Sequence, residues 1–296
     1  MRADLLRRAV TSLGMGQRTN VVNDDVAAVA TELPKAFDVV ICQHAQDEDL
    51  TQGWQMHEGR YSALLGLAGY AAEAEEIVVH RDLALARLTG GRLHLTHLSS
   101  GGSVDLVTTA KAAGVRVTAD VTPHHLTLTD AALTGYDTNL KVNPPVRTAD
   151  HRDALRAGLA AGVLDAVATD HAPHAPQDKE QEFDGAPPGT TGLETALAVL
   201  LTELVEPGLL TLPALVRRLS TEPARILALD EHGGPIAPGR PANLTVFDPA
   251  AEWVVGEGRR YSMSANSAFN GRRLRGRVVH TMLRGSFTVR EGEPTR

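Results

Sequence analysis

The chain has 296 residues, a formal net charge of -7 and a pI near 5.9, so it has no basic surplus with which to hold nucleic acid. Apolar residues make up 43% and charged residues 22%, the make-up of a globular protein able to bury a sizeable core. The single cysteine, Cys42, excludes an intrachain disulfide framework, and no apolar run approaches the roughly 18 residues of a membrane span.

Residues 1–35 read as an atypical N-terminal segment, a short helical pattern LLRRAVTSL followed by a polar stretch through NDDVAAVATELP. MRADLLRRAVTSLG lacks the apolar centre and cleavage site of a signal peptide, so the expected location is the cytoplasm. From residue 36 short apolar runs alternate with helical patterns. AFDVVICQH reads as a strand, and EAEEIVVHRDLALARLTGG as a helix stopped at Gly90-Gly91. RLHLTHL is the second strand, followed by the helix SVDLVTTAKAAG, which ends at Gly114. VRVTADVTP, the helix ADHRDALRAGLAAG closed by Gly162, and the strand LDAVATD come next. Thr191 and Glu194 form a capping-box pattern ahead of the helix LETALAVLLTELV. Strands and helices in alternation predict a parallel α/β layer over 36–225. Over 226–296 the pieces GRPANLTVFDP, EWVVG, GRVVHTMLRG and SFTVREGE predict a small β-rich portion.

Ligands of parallel α/β folds gather at the carboxyl ends of the strands. Three strands end in candidate ligands: His44, His97 and Asp170. Period-two alternation groups Val40, Cys42 and His44 on one face, Leu93, Leu95 and His97 on one face, and Ala166, Ala168 and Asp170 on one face. If these faces line a barrel, two imidazoles and a carboxylate converge, a set suited to zinc with a position left for water. Singly, a histidine at a strand end is more often structural, and Asp170 alone would serve as a helix cap. His94, one register away from His97, is expected to face the helices. His124 and His125 in VTPHHL either support the site or cap it. Asn143 precedes Pro144-Pro145, which fix the backbone around an amide, although an ordinary Asn-Pro turn reads the same way. His174 lies within loop reach of anything held at Asp170, and APPGTTGLE brings backbone groups of Pro188 and Gly189 towards a substrate or simply starts a helix.

Together ATDHAPH, VTPHHL, NPPVR, QHAQ and THLSS resemble the dihydroorotases, in the cyclic-amidohydrolase branch of the amidohydrolase superfamily. The ending GRPANLTVFDP…LRGSFTVREGE is similar to the β-sandwich tail of that family, and the resemblance runs from about Lys35 to Arg296. It implies a (β/α)8 TIM-type barrel and the zinc-dependent interconversion of dihydroorotate and N-carbamoyl-aspartate. His44 and His97 match the histidines holding one metal, and Asp170 matches the carboxylate that binds metal and shuttles the proton. Asn143 and His174 match residues contacting the pyrimidine ring and its carboxylate.

The family's His-x-His pair on the first strand, with the arginine and asparagine after it, has no match, because no histidine precedes His44. Asn23-Asp24-Asp25 is similar to a metal-bridging turn of the family, but the residues after it differ. The strands found correspond to the later half of the barrel. The expectation is therefore one zinc at most, in a chain that is a fragment, a truncated product or one completed by a partner, and that forms a homo-oligomer. Two other functions stay open: a non-catalytic dihydroorotase-like subunit scaffolding aspartate carbamoyltransferase, and a hydantoinase-like cyclic amidase.

Overall fold

The computed structural model describes residues 38–258 and 260–295; the 1–35 segment, with Asp24 and Asp25, lies outside the described residues. Its first layer is a parallel sheet of β1 (Val40–Gln43), β2 (Arg92–Leu95), β3 (Val117–Val121) and β4 (Ala166–Val167), neighbours in chain order. Helices α1 (Glu73–Thr89), α2 (Gly101–Ala112), α3 (Pro123–Thr127) and α4 (Ala149–Ala161) fill the crossovers. The punctuation acts as the sequence suggests. Gly90 at φ 69° and Gly162 at φ 85° take the left-handed conformation that closes α1 and α4. Ser100 and Thr122 cap α2 and α3 by accepting from the Ser103 and His125 amides.

The helices pack on the face carrying Leu93, Leu95, Val117, Ala119, Val121 and Val167, against Val78, Val79, Leu83, Val104, Val107, Leu155 and Leu159. Strand register sets Cys42, His94 and Thr118 side by side on the other face, where Asp120 lies beside Ala166. The sequence expectation for β2 is thus inverted: Leu93 and Leu95 meet the helices, and His94 faces the inside. The physical reason is that the helix layer takes the more continuous apolar row. His97 has already left the strand, which ends at Leu95, and its backbone turns at φ 39°. Among the described residues β1 is an edge of this sheet, with β2 its only partner.

After residue 190 the chain adds α5 (Ala196–Leu200), which continues as wider π-helical turns over Leu201–Val205. The expected capping box does not form: Thr195 is the N-cap, and the Glu194 carboxylate instead accepts from the amides of Tyr261 and Ser262. An antiparallel sheet follows, β5 (Leu244–Val254), β6 (Arg273–Leu283), β7 (Ser286–Arg290) and β8 (Glu293–Pro294), ordered β8-β7-β6-β5. The pieces expected as two strands, LTVFDP and EWVV, form the single strand β5. A register shift between Asp248 and Glu252 absorbs Pro249, which cannot donate to the ladder. Among the described residues this portion is one sheet rather than a sandwich. Val255, Phe269 and Leu274 bury against Ala198 and Val199 of α5, which fastens the antiparallel sheet to that helix.

Candidate metal and substrate site

Two strand ends bring His44 and His97 together, with His44 Nδ1 3.0 Å from His97 Nε2. The φ of 39° at His97 costs about 1–3 kcal/mol in a residue with a Cβ. Asp120 offsets it: Oδ1 accepts from the His97 amide at 2.7 Å, and Oδ2 lies 2.8 Å from His94 Nε2. His94 Nδ1 is in turn 2.8 Å from Thr118 Oγ1, so the row of polar residues inside the sheet supports the turn.

His44 is oriented from its other side. Its Nε2 is 2.9 Å from Gln46 Oε1, the same oxygen that accepts from Asn143 Nδ2 at 3.0 Å, while Gln46 Nε2 donates to Thr51 Oγ1 at 2.8 Å. An amide oxygen only accepts, so His44 carries its proton on Nε2 and turns the lone pair of Nδ1 towards His97. Burial first, and the neighbouring His44 second, hold the His97 ring below the usual histidine range, against the opposing charges of Asp170 and Asp120. A neutral ring is what a metal ligand requires.

Asp170 follows β4 at φ 47°, a second strained strand end. His171 beside it accepts the Gly192 amide on Nδ1 at 3.1 Å and bridges to Thr190, which ties Asp170 to the approach to α5. Zinc–nitrogen bonds of about 2.0–2.1 Å at tetrahedral angles separate two ligand nitrogens by roughly 3.3 Å, so the His44–His97 pair fits two positions of such an ion. Asp170 does not join them: no group of three His, Cys, Asp or Glu side chains suited to a metal occurs among the described residues. The expected trio of His44, His97 and Asp170 is thus present as a pair of imidazoles with a carboxylate close enough to act on His97 by its charge. Of the adjacent histidines, His125 is occupied by Thr122 Oγ1 and the Pro144 carbonyl. His124 is buried with its Nε2 unpartnered, and burial, helped by His125 and His97, keeps its ring far less basic than usual.

Among the residues expected to contact a substrate, Asn143 has its Oδ1 buried without a partner, an acceptor left free for an N–H. His174 Nε2 donates to the Pro188 carbonyl at 3.0 Å. Gly189 sits at φ 142°, and a Cβ there would come within 2.6 Å of His174 Nε2, so only glycine leaves that ring in place. Behind the site, the fully buried Glu75 accepts from the amides of Ser99 and Ser100 and from Ser103 Oγ at 2.7 Å. Burial pushes the Glu75 carboxyl up, but Arg147 and the hydroxyls of Ser103 and Ser99 outweigh it and hold it below the usual carboxylate range. This anchors the THLSS loop immediately after His97.

Sequence reasoning missed four residues. Asp120 and Glu75 were legible in principle, since a carboxylate at a buried position needs a partner. Gln46 lies inside QHAQ, two residues past His44. Asn266, whose side chain binds the His174 amide and the carbonyls of Ala172 and Gly189, stands in SANSAF, where no periodicity singles it out.

The sequence profile of the amidohydrolase family matches residues 65–288. A dihydroorotase of Leifsonia xyli subsp. xyli is 48% identical over 283 residues, covering 93% of this chain and 65% of that protein. One of Streptomyces coelicolor is 49% identical over 266 residues, covering 90% and 62%. One of Mycobacterium tuberculosis is 44% identical over 299 residues, covering 98% and 69%. Among solved structures, an L-hydantoinase (dihydropyrimidinase) from Arthrobacter aurescens superposes with a TM-score of 0.83 at 28% identity, over 92% of this chain and 61% of that one. The chain therefore spans less than two thirds of the first two relatives.

Proposed function

The chain belongs to the amidohydrolase family, with dihydroorotases as its relatives, and from that footing we propose that it serves the reversible hydrolysis of (S)-dihydroorotate to N-carbamoyl-L-aspartate, as a homo-oligomer in the cytoplasm. The observation that carries this proposal is the network running from His97 through His44 and Gln46 to Asn143, which couples a metal-facing pair to a substrate-facing amide. The family is in general metal-dependent, and we assign zinc to His44 and His97, with further donors from outside that pair. Bound there, the ion would lower the pKa of water towards 7 and polarise the amide carbonyl.

The family resemblance supports the following roles for the chain's own residues. Asp170 takes the proton of the attacking water and returns it to the leaving ring nitrogen; in ring closure it accepts the proton of the ureido nitrogen. Asn143 Oδ1 receives a ring N–H. His174, with Pro188 and Gly189, lines the carboxylate side of the ring.

One observation favours a second reading, a non-catalytic subunit scaffolding aspartate carbamoyltransferase: the described residues hold no third metal donor grouped with His44 and His97. The test is turnover of dihydroorotate and of hydantoin by the purified chain with zinc, with and without chelator. Chelator-sensitive opening of dihydroorotate, lost in Asp170→Ala, supports the proposal. Turnover of hydantoin alone makes the protein another cyclic amidase. No turnover, with aspartate carbamoyltransferase co-purifying, makes it a scaffold.

A further inference from the structure

Three chain segments meet at the substrate side, and one side chain holds them together. Asn266 lies between the β5 and β6 strands, far in sequence from the strand ends, and is 4% exposed. Its Oδ1 accepts from the His174 amide at 3.1 Å, and its Nδ2 donates to the Ala172 carbonyl at 2.9 Å and the Gly189 carbonyl at 3.2 Å. The main-chain oxygen of the same residue accepts from the Thr191 amide at 2.8 Å and from Thr190 Oγ1 at 3.1 Å. A primary amide offers two donors and an acceptor, and here every one is used across two loops.

We propose that Asn266 is a positioning residue for the substrate carboxylate: it fixes the spacing of the 172–174 and 188–191 loops, and with it the His174 ring. The proposal builds on the dihydroorotate reading of the pocket. The two loops are otherwise tied by the Ala172 amide on the Thr190 carbonyl, at 2.9 Å, by the His174 ring itself on the Pro188 carbonyl, and, at their flanks, by the Gly192 amide on His171 Nδ1 at 3.1 Å. The bonds of Ala172 and His171 lie at the 171–172 end; without the Asn266 side chain, the His174 end would be tied to the 188–191 loop by the ring alone. A site group displaced by about 1 Å commonly costs up to a hundredfold, and a carboxylate contact made alike in the bound substrate and the transition state is lost from KM while kcat stays.

Alanine at 266 removes all three side-chain bonds. Aspartate keeps the shape and the acceptor for the His174 amide, but sets an oxygen against the carbonyls of Ala172 and Gly189. The experiment uses the whole chain, unmutated and as Asn266→Ala and Asn266→Asp, each checked for folding by thermal unfolding. Dihydroorotate affinity is measured by calorimetry, and KM and kcat separately. The expected result is at least a tenfold weaker affinity and a matching rise in KM, with kcat within about threefold and zinc content unchanged. A merely structural role would lower the active fraction, and so the apparent kcat, without moving KM. A folded variant with affinity within twofold of the unmutated chain overturns the proposal. If Asn266→Ala does not fold, Asn266→Asp is read by the same criteria. If the unmutated chain binds no dihydroorotate, the substrate reading and this proposal fall together; if it binds and the variants bind equally well, only the proposal falls.

Discussion

Replacing Asp120 by alanine should be among the costliest single changes at the site. The carboxylate is 5% exposed and makes two short bonds, 2.7 Å to the His97 amide and 2.8 Å to His94 Nε2. At about 1.5–3 kcal/mol for each bond to a carboxylate, their loss costs roughly 3–6 kcal/mol. Release of the turn at His97 returns part of its about 1–3 kcal/mol of backbone strain, leaving a net loss near 3 kcal/mol. Asp120→Asn keeps an oxygen for the His97 amide and should cost about half as much. Guanidinium unfolding of the three proteins gives the values directly, from the shift in midpoint at constant slope. A loss below about 1 kcal/mol for Asp120→Ala would refute the account of how His97 is held.

Gly189→Ala should remove dihydroorotate binding in a chain that still folds, because its Cβ would press on His174; unchanged affinity by calorimetry would contradict this. Glu75→Gln leaves Arg147 buried and uncompensated, at a cost of about 3–5 kcal/mol by chemical unfolding. Burial, and then the charge of Arg147, lower the pKa of His57 from 6.5 to about 4. The unfolded chain therefore binds the proton that the folded chain refuses, and stability falls as pH drops from about 6.5 towards 4. At pH 5 the contribution of His57 amounts to up to about 2 kcal/mol relative to pH 7; the lowered His97, His124 and His125 add losses of the same sign, so urea midpoints should show a fall on acidification in both proteins that is smaller by about that amount in His57→Gln.

The alternation of apolar runs with Gly-stopped helices made the parallel layer legible, since Gly90 and Gly162 close helices where the pattern breaks. Strand facing was harder to read. In RLHLTHL both rows of side chains contain apolar and polar members, so parity alone could not tell whether His94 or Leu95 faces the helices. The positive φ at His97 and at Asp170 then breaks parity where the site begins, and tertiary bonds such as that of Asp120 impose those turns. Glu194 resembled a capping box because the pattern is local, whereas its partners, Tyr261 and Ser262, lie far along the chain. Long-range partners also explain why Asn266 was unreadable. The meeting of His44 with His97 was legible because both stand just past the ends of neighbouring strands, whereas Asn143 and His174 were singled out by the family resemblance.

The measurement that bears most directly on the metal-facing pair is the zinc content of the whole chain after equilibrium dialysis, compared with His44→Ala and His97→Ala. One zinc per chain, lost in both variants, is the expected result. No zinc retained above the buffer, or zinc retained equally by both variants, would contradict the assignment of His44 and His97 as a metal-facing pair.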